Sequence, residues 1–262
     1  MPRKRRLEDF TSAALKRAAP AMVAVLPVAA VEQHGPHLPL GTDLHITGGL
    51  LDMALEALDE RVECAALPAI AYGKSDEHQG FAGTLTLSAE VLTRTLCEIG
   101  ASLARSGGRR LVILSGHGGN SECMGIAGRA LRREHSMAVV ATNFMRLGVP
   151  RGIAEDELRF GIHGGLVETS LMLHLRPELV DMASAGDFAS RAADLAERNE
   201  ILGFSGPGAL SWMTGDLNDC GAVGDAASAT AALGKRIARH QSQRLATLIA
   251  ELAIFDPNSL TG

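Results

Sequence analysis

The chain has 262 residues, 46% hydrophobic and 21% charged, the balance of a soluble globular protein rather than a disordered or fibrous one. Its 25 basic and 30 acidic residues leave a formal net charge of −5, and aromatics make up 3%, so the basic face and stacking surface of a nucleic-acid binder are missing. No run approaches the roughly 18 apolar residues of a membrane span, and Cys64, Cys97, Cys123 and Cys220 are scattered without a CxxC pair, as expected of small hydrophobes in a reducing cytoplasm.

The basic cluster Arg3-Lys4-Arg5-Arg6 opens the chain, and residues 1–7 are expected to fray. Leu7-Glu8-Asp9 follows where a secretory signal would need an apolar segment. Residues 22–31 read as a buried strand, 47–58 as a helix and 64–71 as a second strand. A helix over 89–106 is opened by Ser88 and stopped at Gly107-Gly108. Strand 111–114, helix 121–134 and strand 137–142 come next, and an Ala-rich helix is expected from about 226 to 253. Apolar runs without polar alternation, separated by amphipathic helices, imply an α/β domain whose mainly parallel sheet is covered on both faces. Segments 147–161 and 203–225 lack apolar periodicity and read as long functional loops within one domain spanning 1–262.

Open α/β sheets place their sites where strands end, and three polar clusters fall at such positions. After the first strand, Glu32 and His34 stand two apart, so extended backbone projects both to one side, and Asp43 follows. Carboxylate and imidazole together suit zinc, manganese or iron rather than calcium or magnesium. His37 and His45, in the same segment, read as ordinary polar-turn groups. The second cluster, Ser115-Gly116-His117-Gly118-Gly119-Asn120, matches neither a dinucleotide-binding nor a Walker loop, and its glycines let backbone approach a bound ion at His117. In the third, Glu168 lies five residues beyond His163 and opens an apolar helical turn. With no basic partner nearby, coordination to a dication would remove its desolvation cost. A fourth segment, 72–84, mixes a hydroxyl, ionisable groups and glycine as a substrate-binding loop does. His174 reads as a packed helix residue, and His135 and His240 as surface groups.

On these residues the chain resembles the creatininase (creatinine amidohydrolase) family of metal-dependent hydrolases. The likeness runs from about Leu26 to Gly234 and is carried by LPVAAVEQHGPHLPLGTD at 26–43, YGKSDEHQGFAGTL at 72–85, SGHGGN at 115–120, HGGLVETSLML at 163–173 and GAVGDAASATAALG at 221–234. The resemblance implies a three-layer α/β/α sandwich with two divalent ions (zinc, manganese or iron) at the strand ends. It implies Glu32, His34, Asp43 and His117 as ligands, with Asp43 bridging. Creatininase has a Glu two residues after the His of the third motif. Gly119 stands there in this chain, and members with an HGGN-type motif take the carboxylate from the ETS motif, which points to Glu168. The resemblance further implies His163 as proton shuttle to the leaving amine, Ser75 as a substrate contact, and a ring-like hexamer.

Creatininase closes two tryptophans over its planar substrate. This chain has only Trp212, with Arg159 and Phe160 on the approach to His163. The expected reaction is therefore hydrolysis of another small cyclic or linear amide by a metal-bridging hydroxide. The alternatives are a peptidase acting on a short precursor peptide of the mycofactocin type, and a metal-binding protein without turnover.

Overall fold

Four of the expected apolar runs form the strands of one parallel sheet. They are β1 (Val23–Val28), β2 (Cys64–Ala66), β3 (Arg110–Ser115) and β4 (Ala138–Asn143), ordered β2-β1-β3-β4 in a computed structural model that describes residues 5–260. Val28 pairs with Ser115 and Ser115 with Asn143, so the carboxyl ends of β1, β3 and β4 lie level. β1 is buried along its whole length, which is why it reads as a continuous apolar run.

In chain order the helices are α1 (Ser12–Ala18), α2 (Thr42–Ala57), α3 (Ala89–Arg105), α4 (Ser121–His135), α5 (Glu155–Phe160), α6 (Leu166–Leu175), α7 (Arg191–Arg198), α8 (Thr214–Leu217) and α9 (Ala231–Ile254). Alternate residues of β1 feed two cores. Val23 and Val25 pack with Leu50 and Leu51 of α2, Leu171 of α6 and Ile237 and Leu245 of α9. Ala24 and Leu26 pack on the opposite face with Leu92 and Leu96 of α3 and Met124 and Leu131 of α4. The architecture is thus the expected α/β/α sandwich. No helix among the described residues is long and apolar enough to cross a membrane.

Local chemistry explains where element boundaries moved. α3 starts as expected, with the Ser88 hydroxyl accepting the Val91 N–H at 3.2 Å. α9 starts at Ala231 rather than 226, because the Thr230 hydroxyl caps the Leu233 N–H at 3.1 Å and 226–228 forms a separate 3₁₀ turn. α2 begins at Thr42, five residues before the expected start, and so carries Asp43 in its first turn. The strand expected over 64–71 ends at Ala66. Past Pro68, Ile70 rejoins the sheet only through a bridge to Val28. Fraying of 1–7 is corrected for 5–7: the Ala66 N–H donates to Arg5 O at 2.9 Å, the Arg5 guanidinium donates to Leu58 O at 3.1 Å, and Leu7 packs against the α3–α4 core. Residues 1–4 lie outside the described residues.

Strand order reverses direction at the β1–β3 boundary, where crossovers leave to opposite sides. The loops after β1 and β3 therefore open a crevice at the carboxyl edge.

Candidate metal centre

Four elements deliver side chains to that crevice. The Glu32 N–H donates to Leu40 O at 3.0 Å, closing a loop that returns the start of α2 to the end of β1. Asp43 thereby meets Glu32 and His34. His117 follows β3 directly, and Glu168 projects from the first turn of α6.

Hydrogen bonds to backbone carbonyls orient both imidazoles. His34 Nδ1 donates to Glu32 O at 3.2 Å, which turns Nε2 toward Asp43 Oδ1 (3.4 Å), Glu32 Oε1 (3.8 Å) and Glu168 Oε2 (3.9 Å). His117 Nε2 donates to Lys74 O at 2.8 Å, which turns Nδ1 toward Glu32 Oε1 (3.0 Å) and Asp43 Oδ2 (3.6 Å). Asp43 thus offers one oxygen to each histidine. Glu168 Oε2 also accepts the Gly164 N–H at 2.6 Å.

These atoms fit divalent ions. Six buried side-chain atoms lack a hydrogen-bond partner among the described residues, and three of them, Glu32 Oε1, His34 Nε2 and Asp43 Oδ2, face this one space. A bare imidazole nitrogen opposite a carboxylate oxygen sets lone pair against lone pair, so a cation must stand between them. Without metal that cation is a proton. Burial pushes His34 down, but Asp43, Glu168 and Glu32 outweigh it and hold it at about 9. Burial is likewise outweighed at His117 by Glu32, Glu77 and Asp43, which raise it well above its usual value. Burial and the Glu32 charge raise Asp43 against the pull of His34 and His117. Burial raises Glu168 to about 7, with Asp43 and Glu32 adding to it against His34. The ligand atoms fall into groups of three, among them His34–Asp43–Glu168 and Glu32–His78–His117, each within 4.8 Å. Nitrogen and oxygen donors in such sets suit zinc, manganese or iron.

All five expected ligands therefore converge, and His163 joins them. Its Nε2 donates to Gln33 O at 2.8 Å, leaving Nδ1 bare and 3.8 Å from Glu32 Oε1. Burial, with His34 and His78, pushes His163 well below the usual histidine range. Ser75 is fully buried, and its hydroxyl donates to Glu32 Oε2. His37 departs from the polar-turn reading: it is buried, with Nε2 2.8 Å from the Thr169 hydroxyl. His45 remains partly exposed beside Arg176.

Several further side chains surround the centre. Glu77 Oε1 stands 3.3 Å from His117 Nε2, in the space a side chain at Gly119 would need: a Cβ there would lie 2.2 Å from that oxygen. Burial pushes Glu77 up, but His117 and Lys74 outweigh it and hold it at about 2. His78 is buried with Nε2 3.5 Å from Glu32 Oε1. Burial lowers it to about 4, with His117 and His34 adding to the effect against Glu32 and Glu77.

A cavity of about 780 Å³ opens over these residues. Both long segments contribute to its walls, Leu158 from the first and Leu210, Trp212 and Met213 from the second, with Ile162 just beyond the first. Arg159 and Phe160, expected on the approach, do not line it; the Arg159 guanidinium lies 4.8 Å from the Phe160 ring centre.

The creatinine amidohydrolase family model, Creatininase, matches residues 8–249. The chain belongs to the creatininase family. It is 38% identical over 220 residues to a mycofactocin precursor peptide peptidase from Mycobacterium ulcerans, covering 81% of this chain and 78% of that one. Identity to the Mycobacterium tuberculosis peptidase of that name is 36%, covering 88% and 85%. A Pseudomonas putida creatinine amidohydrolase is 40% identical over 105 residues, or 38% of each chain. Among solved structures, a creatininase variant complexed with creatine gives a TM-score of 0.77 at 25% identity over 95% and 98% of the two chains. A manganese creatininase gives 0.75 at 26% identity with the same coverage. This creatininase-family chain is a metal-dependent hydrolase acting on carbon–nitrogen bonds.

Proposed function

We propose that this creatininase-family enzyme cleaves an amide bond of a short peptide at a dinuclear metal centre. The observation that carries the reading is the cavity. At about 780 Å³ it lies toward the upper end of small-molecule pockets, and its mouth is rimmed by exposed Met145, Leu158, Ile162, Leu210 and Met213. A compact ring needs little of that surface, whereas residues flanking a scissile peptide bond can cover it. The similarity to the two mycobacterial peptidases points the same way.

Glu32, His34, Asp43, His117 and Glu168 would hold two divalent ions, Asp43 giving one oxygen toward each histidine. Bound there, such ions supply a water of lowered pKa and electrophilic polarisation of the amide oxygen. His163 takes up a proton at Nδ1 and passes it to the leaving amine, while its Nε2–H on Gln33 O keeps the ring aimed. Ser75 holds the Glu32 carboxylate, and Glu77 with Lys74 O holds His117. Leu210, Trp212 and Ile162 shelter the reacting bond from bulk water. By family likeness, the working form is a ring-like hexamer in the cytoplasm.

The test is a substrate panel on protein loaded with zinc or manganese. Short peptides, creatinine, hydantoins and lactams are incubated separately and read by mass spectrometry. Peptide cleavage is expected. Turnover of the cyclic amides with every peptide intact would instead support the small-amide reading, which the Pseudomonas putida match favours.

A further inference from the structure

His34, His163 and His78 form a stack, with His163 in the middle at 4.2 Å from one ring centre and 4.1 Å from the other. The outer ring, His78, lines the cavity and lies within ligand distance of Glu32 and His117. Geometry alone leaves it either a third metal ligand or something else. The protonated nitrogen decides, because a ligand needs a lone pair at Nε2.

Gln33 makes that decision. Its amide orientation is fixed at both ends: the Gly35 N–H donates to Oε1 at 2.9 Å, and Nε2 donates to Gly221 O at 2.8 Å. A flipped amide would set donor against donor at Gly35 and acceptor against acceptor at Gly221. One Nε2 proton remains, and the atom 2.8 Å away is His78 Nδ1. His163 Nε2, at 3.3 Å, already carries a proton for Gln33 O and cannot accept another. His78 Nδ1 must therefore be bare and its proton must sit on Nε2. The Thr214 hydroxyl accommodates this, since it lies 2.8 Å from His78 Nδ1 and 3.0 Å from Glu77 O and can turn its single proton to either. The opposite tautomer would press the His78 N–H against the Gln33 N–H, which has nowhere to turn.

We propose that Gln33 is a positioning residue that fixes the tautomers of both stacked imidazoles, so that His78 turns an N–H rather than a lone pair toward the centre and is not a metal ligand. Its backbone carbonyl makes His163 present a bare Nδ1, and its side chain makes His78 present Nε2–H, both toward Glu32 Oε1. A bare nitrogen and an N–H thus stand side by side facing one carboxylate, and the Glu32–His78–His117 group supplies two ligands, His78 offering none. The catalytic consequence rests on the metal-centre reading; the tautomer assignment does not.

Long-range proton–nitrogen correlation on ¹⁵N-histidine-labelled protein reads the tautomer directly, in the metal-free and zinc-loaded states. The His78 signals are assigned by their loss in His78→Phe. The proton is expected on Nε2 in both states, and on Nδ1 in Gln33→Glu, where a carboxylate oxygen replaces the donor. Metal analysis of His78→Phe should give the same ions per chain as the wild type. A wild-type His78 protonated on Nδ1, or loss of one ion per chain in His78→Phe, would overturn the proposal. If Gln33→Glu does not fold, the wild-type spectrum alone decides. A wild-type protein without metal would sink the metal-centre reading while leaving the tautomer readable.

Discussion

Glu157 lies outside the metal cluster, yet it holds the segment that delivers two of its residues. Its Oε1 accepts the Leu166 N–H at 2.8 Å at the start of α6, and its Oε2 accepts the Asp225 N–H at 3.0 Å. Cβ atoms added at Gly161, Gly165 and Gly224 would lie 2.3, 2.6 and 2.6 Å from Oε1, so bare glycine backbone boxes the carboxylate in. Replacing it by alanine removes two hydrogen bonds to a charged acceptor. At about 1.5 kcal/mol each, the low end for a partly exposed group, the loss is about 3 kcal/mol. For a domain of this size that lowers the melting temperature by about 6–12 °C. Glu157→Gln isolates the need for two acceptor oxygens. An amide has one oxygen for two N–H groups, and its NH₂ would confront the second, so glutamine should cost about as much as alanine. Differential scanning fluorimetry of the zinc-loaded variants measures both, and isothermal titration should show weaker metal uptake because Glu168 and His163 ride on this segment. A Glu157→Gln protein melting within about 2 °C of wild type would refute the two-acceptor account.

A Cβ at Gly116 would stand 2.2 Å from Thr47 Oγ1 and 2.9 Å from Asp43 O, so Gly116→Ala should push α2 away from His117 and lower metal content; full occupancy by elemental analysis would contradict this. Ser75→Ala should weaken metal affinity about 10–100-fold with little change in KM, as for a residue that steadies a ligand; a raised KM at unchanged metal affinity would make Ser75 a substrate contact instead. In the metal-free protein, His34 is held at about 9, above its usual 6.5, and His117 is raised as well. A histidine pKa raised by folding stabilises fully below the unfolded value and less as pH climbs through the folded one, so the metal-free melting temperature should fall between about pH 6.5 and 9. A flat profile over that window would mean the imidazoles are not sharing protons with these carboxylates.

Much of this molecule is legible in the linear chain because single residues mark it. The buried strands show as apolar runs, Ser88 marks the start of α3, and Glu32, His34 and Asp43 crowd into one loop. Asp43 reads as a loop ligand because the helical apolar periodicity is clear only from 47; in the fold, the positive end of α2 carries that carboxylate. Gln33, Glu77 and His78 carry no such mark in the sequence. Gln33 meets His78 45 positions away and His163 130 positions away, and no local spacing encodes such pairings. Family likeness makes Ser75 a substrate contact, and only the fold shows that its buried hydroxyl donates to Glu32. The sequence puts Arg159 and Phe160 on the approach to His163, whereas α5 places Leu158 on the cavity.

The most direct measurement is metal stoichiometry of the purified chain beside its Asp43→Ala variant, by plasma mass spectrometry. If Asp43 ties two ions together, wild type should hold about two divalent ions per chain and Asp43→Ala close to none. A wild-type chain with no ion, or an Asp43→Ala chain that keeps the full complement, would contradict the account.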